Sequence, residues 1–438
     1  MPGLALSGRL DTGIPRPRSL PLVPPEPFPA RDRRLFRGLA FLLGFTLPLL
    51  TLQTGYYGTP KDLASRVAVA DFVCLLMFAL LLLRGSPARV PIPGGLYGVS
   101  LLLSLVPALL IWPGPEDFVW TTVAGIGMAF AFYLLGLSIG ESREVTTALL
   151  GGLALVTVAE FAIVLHDVVA TAQWFPDPME GRARGTFKAN GQLGAFGFCA
   201  AGLLLVLSGI PESGRLRGFC VLSGLLAASF VVTASRRTGM ISVFLWALCF
   251  AVLGARFIHR RFYQVFLAVF ILLLVGAGVS WGTLTRSFAG QRLSEGLSTL
   301  SASDSFIRNQ HEHILASAGD WFPLGFGPGR GNRIDLADPE HHEIHNGLLA
   351  VLVELGVLGF LGFVGIVIHP WFGGAARPRT DDADLRRWLL RSFLLVIFIF
   401  MAHNTLYRDR TFLLFLGMVT SLRRRESVRP RPRPEALP

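Results

Sequence analysis

Residues 345–368 read HNGLLAVLVELGVLGFLGFVGIVI. All but a few positions are apolar, and as a helix rising about 1.5 Å per residue the stretch crosses roughly 30 Å of hydrocarbon. Similar runs recur from Leu35 almost to the C-terminus. The expected spans are 35–53, 64–83, 95–112, 119–138, 146–167, 192–209, 218–234, 238–254, 262–281, 345–368, 388–403 and 411–421. Composition agrees, with 52% hydrophobic and only 16% charged residues in a chain of 438 and a mean hydropathy of +0.54. A soluble chain carries about a quarter charged residues. The short segments of alternating polarity that mark a β-barrel are lacking. The expected fold class is therefore all-α: a polytopic integral membrane protein of about twelve transmembrane helices.

The net charge of +11 does not point to nucleic acid, because the arginines sit in short clusters between apolar runs. That distribution is a topology signal. Arg31, Arg33, Arg34 and Arg37 precede the first run, and every second connection is basic: Arg84 and Arg89, Arg143, Arg215 and Arg217, Arg256, Arg260 and Arg261, then Arg377, Arg379, Arg386 and Arg387. With Arg423, Arg424 and Arg425 after the last run, the positive-inside rule puts both termini in the cytoplasm, and an even helix count agrees. The expected organisation is a disordered tail over 1–34, nine helices over 35–281, a periplasmic loop over 282–344, three helices over 345–421 and a second tail over 422–438. The N-terminus lacks the pattern of a secretory signal. The four cysteines, Cys74, Cys199, Cys220 and Cys249, lie in apolar runs without metal-ligand spacing.

The opposite connections carry the chemistry. A loop as long as 282–344 is unusual unless it is functional. Within it, 303–318 reads as a helix capped by Ser303 or Asp304, and Gly325 to Gly331 as a glycine-rich turn. Arg182 and Arg184 with Asn190, the pair Arg236 and Arg237 in a tight hinge, Arg308, and His345-Asn346 all fall on this side. A lone arginine at a helix end commonly snorkels to headgroups, but the positive-inside rule disfavours Arg236 here. His341 and His345, with Glu340 and Glu343, have metal-ligand residue types, yet Pro339 and the acidic residues make this a loop, so no metal is expected. Glu354, about 13 Å into its helix, requires a protein partner or cavity, and its offset from His345 favours a structural hydrogen bond. Several guanidinium forks suit a phosphate-rich ligand, and a neutral histidine suits proton removal from an attacking hydroxyl. A lipid pyrophosphate with a hydroxyl acceptor fits both.

In this order the segments resemble a known family. Arg182 to Gly194 nearly matches Arg-x-x-Gly-Thr-Phe-x-x-x-Asn-x-x-Gly; Ser235-Arg236 follows at a helix junction; Asp304 to Arg308 gives Asp-Ser-x-x-Arg. Pro323-x-Gly325-x-Gly327-x-Gly329 comes next, and His345 to Gly356 gives His-Asn-x-x-Leu-x-x-x-x-Glu-x-Gly. Over roughly residues 150–370 the chain resembles the O-antigen ligase and polymerase superfamily of bacterial envelope glycosyltransferases. The resemblance implies about twelve helices, with the large periplasmic loop between the ninth and tenth, in the inner membrane. It also implies metal-independent, cofactor-free transfer of a glycan from undecaprenyl pyrophosphate. The histidine at the position of His345 is the implied base, and Arg236 and Arg308 the implied pyrophosphate ligands. Arg182, Arg184, Asn190, Arg237 and Asn346 are expected to contact substrate. His311 and His313 stand where aromatic residues are usual in the family.

The acceptor is either lipid A–core, a second lipid-linked repeat or a protein hydroxyl. The modest loop with one histidine motif favours the ligase type. The rival class, a transporter or flippase for a lipid-linked anion, calls for ionisable residues along a path and broken helices near the midplane. Only Glu160 and Glu354 look like intramembrane acids, and they mark no path. A non-catalytic scaffold requires that His345 be dispensable.

Overall fold

In the computed structural model, the described residues are 28, 32–48, 68–84, 89–111, 116–169, 186–187, 190–234, 237–254, 311–329, 344, 346–372, 381–401 and 406–428. Apolar composition with good helix formers makes them helical almost throughout. The elements are α1 (Arg33–Thr46), α2 (Val69–Leu83), α3 (Ile92–Leu103), α4 (Glu116–Gly140), α5 (Arg143–Val169), α6 (Asn190–Leu207), α7 (Gly214–Thr233) and α8 (Arg237–Gly254). After them come the short α9 (Ala318–Trp321), then α10 (Gly347–Phe372), α11 (Asp381–Met401) and α12 (Arg410–Val428). No strand occurs among the described residues. Every expected span carries a helix except 262–281, which lies outside the described residues. Five stretches are long and apolar enough to cross a membrane: Ile92–Ile111, Val119–Gly140, Arg143–His166, Gly214–Val231 and Gly347–Phe372.

The boundaries differ from expectation where local chemistry overrides hydropathy. Helix α1 ends at Thr46 instead of running on to 53, just ahead of Pro48. Helix α11 begins at Asp381, before the first apolar residue of the expected span. Helix α12 continues through the basic run to Val428 because no breaker occurs before Pro430. The expected loop helix over 303–318 is described only from 311, is helical at 311–316, turns at Ser317 and resumes as α9.

Packing follows small residues, as it does where the helices have no hydrophobic drive to associate. Gly136 of α4 faces Gly417 of α12, and Gly140 faces Met418: a Cβ at Gly136 would lie 2.4 Å from the Leu414 carbonyl oxygen, and one at Gly417 2.2 Å from that of Tyr133. Helices α1 and α5 approach equally closely, since a Cβ at Gly152 would lie 2.1 Å from the Phe41 carbonyl. Large apolar side chains such as Phe72, Leu83, Leu102 and Leu110 point outward. An apolar rim of this extent fits hydrocarbon, not water.

The described basic connections around 33, 84, 143 and 212 meet at one end. Arg84 pairs with Asp32 at 2.7 Å, Arg33 with Glu144 at 3.7 Å, and Arg143 with Glu212 at 2.9 Å. Arg143 Nε also donates to the Ile210 carbonyl at 2.7 Å. These contacts join the start of α1, the end of α2, the start of α5 and the α6–α7 connection. The described parts of the motifs, Thr186, Phe187, Pro323 to Gly329 and Asn346, lie away from it.

Candidate functional site

Three described motif segments are fastened by hydrogen bonds to the helices. Glu160, nine positions before the end of α5 and 1% exposed, accepts the Thr186 amide on Oε1 at 2.7 Å and the Thr186 hydroxyl on Oε2 at 2.9 Å. Phe187 is buried against Phe196 of α6, ring centroids 5.1 Å apart. The Gly-Thr-Phe piece that follows Arg184 is thus held by α5 and α6. Asn190 and Arg237 open α6 and α8.

Asn346 caps α10: its Oδ1 accepts the Leu348 and Leu349 amides, both at 3.1 Å. Its carboxamide oxygen is committed to the helix. Ile344 is buried, so the chain is held on both sides of position 345. His345, Arg236, Arg308, Arg182 and Arg184 themselves, and the cluster from Glu340 to Glu343, lie outside the described residues. No group of three or more potential metal ligands occurs among the described residues.

The glycine-rich turn has a different role from a loose connection. Helix α10 is interrupted at Gly356, where φ is +70°. The turn fills the interruption: Phe326 N donates to the Val353 carbonyl at 2.7 Å, and Val357 N donates to the Pro323 carbonyl at 2.9 Å. Both backbone groups freed by the break are therefore satisfied by protein, as membrane depth demands. A Cβ at Gly356 would lie 2.4 Å from the Pro323 oxygen, and one at Gly325 2.7 Å from the Gly356 nitrogen. The Pro-x-Gly-x-Gly and Glu-x-Gly motifs are two halves of one joint.

Beside the joint, Glu354 accepts the Tyr407 hydroxyl at 2.8 Å and Arg408 Nη2 at 2.5 Å. Tyr97 of α3 donates to the Tyr407 carbonyl at 3.3 Å. Burial holds the Tyr407 hydroxyl well above its usual pKa, so it stays a donor. The structural hydrogen bond expected of Glu354 is present. Its partners were not foreseen, although an arginine on the side that topology disfavours was a signal for them. A third buried carboxylate escaped the sequence reading, which counted only Glu160 and Glu354. Asp71, in the first turn of α2, accepts Arg410 Nε at 2.5 Å, Arg410 Nη2 at 2.8 Å and the Ala68 amide at 2.8 Å. Asp409 caps α12 through the Phe412 amide at 2.7 Å.

Phe198 of α6 stacks on Phe400 of α11 at 4.4 Å, and Trp246 Nε1 of α8 donates to Ser392 Oγ of α11 at 3.2 Å, so α6 and α8 both pack on α11. Comparison with protein-family models gives no match, and comparison with curated proteins gives none either.

Proposed function

We propose that the chain is a bacterial inner-membrane glycosyltransferase of the O-antigen ligase type. Both termini are cytoplasmic, about twelve helices cross the bilayer, and the 282–344 loop caps a periplasmic site. The site transfers a glycan from undecaprenyl pyrophosphate to a hydroxyl of lipid A–core, with inversion and without a metal. One observation carries the reading most: described residues adjoining the candidate groups are anchored to the helices of the bundle by hydrogen bonds. Thr186 follows Arg184 and is held by Glu160. Asn346 follows His345 and caps α10. The glycine turn that follows Arg308 is built into α10.

His345 takes the proton of the acceptor hydroxyl. The acceptor oxygen bonds to the anomeric carbon as the bond from that carbon to the pyrophosphate oxygen breaks. The electron pair leaves with undecaprenyl pyrophosphate, whose growing charge Arg236 and Arg308 stabilise by about 3 kcal/mol per donor. Pyrophosphate is already a good leaving group and needs no general acid.

The decisive assay gives the purified protein lipid-linked repeats with and without lipid A–core. Capped acceptor identifies a ligase; ladders without acceptor identify the polymerase alternative. His345→Ala abolishes transfer at an unchanged yield of folded protein, and retained activity would sink the assignment. Arg236→Lys loses most turnover, because a point charge does not replace the fork.

One observation favours the rival transporter or flippase: α10 is a broken helix beside a buried carboxylate. In that class, however, the break lines a cavity for the cargo, whereas here the break is filled by the glycine turn. Movement of lipid-linked glycan across a vesicle membrane without product formation would decide for the transporter.

A further inference from the structure

We propose that the turn from Trp321 to Phe326 is a re-entrant element of the membrane domain, with Phe322 and Leu324 covered by lipid acyl chains and not by water. The inference rests on α3 and α10 crossing a bilayer, not on glycosyl transfer. Depth follows from these two helices. Close contacts of Gly359 with Ser100, Gly362 with Tyr97 and Gly365 with Pro93 run in opposite directions along them, so α3 ends beside the start of α10. Both belong to stretches of membrane-crossing length, Ile92–Ile111 and Gly347–Phe372. The turn is wedged between them, inside both ends. Phe326 N donates to the Val353 carbonyl and Val357 N to that of Pro323, which is roughly 9 to 15 Å into α10 at 1.5 Å per residue. A Cβ at Gly327 would lie 2.7 Å from both the Ser104 carbonyl oxygen and the Ala108 nitrogen, three to seven positions before Ile111. At this level Leu102, Val106 and Leu110 of the same stretch are exposed, as suits an outer face turned to hydrocarbon. Irregular backbone enters hydrocarbon only where protein satisfies its polar groups. Here Phe322 N donates to the Ala318 carbonyl and Gly325 N to that of Trp321, while Pro323 has no N–H. Phe322 and Leu324 nonetheless remain 62% and 58% exposed. Glu312, His313 and Asp320, exposed on the preceding segment, mark its way out to headgroups and water. Continuity with the outer face beside α3 identifies the cover as acyl chains.

The test uses full-length protein in phosphatidylcholine nanodiscs, with Phe322→Cys, Leu324→Cys, Leu110→Cys and Glu312→Cys each carrying a nitrobenzoxadiazole fluorophore. Wild-type protein, whose Cys74, Cys199 and Cys220 are buried and Cys249 half-buried, gives the labelling blank. Phosphatidylcholine with a nitroxide on its acyl chain quenches a probe in hydrocarbon, and aqueous iodide quenches one in water. Positions 322 and 324 lose fluorescence to the nitroxide lipid as position 110 does, and iodide spares them; position 312 shows the reverse. Quenching of 322 and 324 by iodide, with 110 quenched by the lipid, would overturn the proposal and leave the crossing of α3 intact. Iodide quenching at 110 as well would remove both. Quenching of 322 and 324 by neither reagent would mean that protein covers them, which also overturns the proposal. The labels replace exposed side chains, and size-exclusion elution at the wild-type volume selects folded variants. Where Phe322→Cys fails to fold, Leu324→Cys decides.

Discussion

The two ends of the helix bundle use the same residue types to opposite effect. At the basic end, Arg33 and Arg37 meet Glu144 at 3.7 and 3.9 Å, with side chains 36% to 55% exposed. At the other end, Arg410 meets Asp71 and Arg408 meets Glu354, the two carboxylates being 1% and 5% exposed. Exposed pairs of the first kind contribute between nothing and about 1 kcal/mol. In the second kind, removing one partner leaves an uncompensated buried charge. The contrast separates roles: exposed charge at the basic end adds little to stability, while buried charge at the motif end fixes geometry.

The largest expected effect is at the second end. Arg410→Met leaves the Asp71 carboxylate facing the core and costs about 3–5 kcal/mol. A thermal melt of the detergent-solubilised protein measures it, and a loss under 1 kcal/mol would erase the contrast. Next is Gly356→Ala, which imposes a side chain at φ +70° and drives its Cβ to 2.4 Å from the Pro323 carbonyl. Backbone strain of this kind costs about 1–3 kcal/mol. Because the clash unseats the glycine turn, proteolysis within 311–329 should accelerate alongside the lowered melt; unchanged cleavage would mean that the joint is not cooperative. Third, Tyr407→Phe removes a donor to Glu354 while Arg408 remains, so the cost is about 1–2 kcal/mol, with no change in protein yield.

These effects also mark what a sequence conveys. The helices were legible because apolar runs of membrane-crossing length have few other structures available. That Glu354 needs a partner was legible for the same reason. Its partner was not, because Tyr407 and Arg408 lie 53 and 54 positions away and pair through tertiary packing. Gly356 was visible as a glycine in an apolar run, but its break depends on a turn some thirty residues earlier that supplies the missing hydrogen bonds. Asp71 was hidden by placing it inside an expected span, when it stands in the first turn of α2 and its chain partner is Arg410. Of the candidate site, the anchors Glu160, Thr186, Gly325 and Asn346 have defined contacts. The motifs named three of these segments without revealing that their neighbours hold them.

The smallest effect sharpens the comparison most. Arg37→Gln removes one charge that pairs with Glu144 at 3.9 Å while Arg33 still reaches the same carboxylate at 3.7 Å. Its cost should stay under about 0.5 kcal/mol and shrink further in high salt, since exposed pairs are screened. Insertion responds differently, because the arginines flanking α1 act on orientation through their number, not through any one contact. Replacing Arg31, Arg33, Arg34 and Arg37 together should therefore leave the melt of correctly inserted protein nearly unchanged while raising the fraction with an outward N-terminus, scored by a reporter fused there. A melt lowered as far as that of Arg410→Met would show that both ends are held by the same kind of contact.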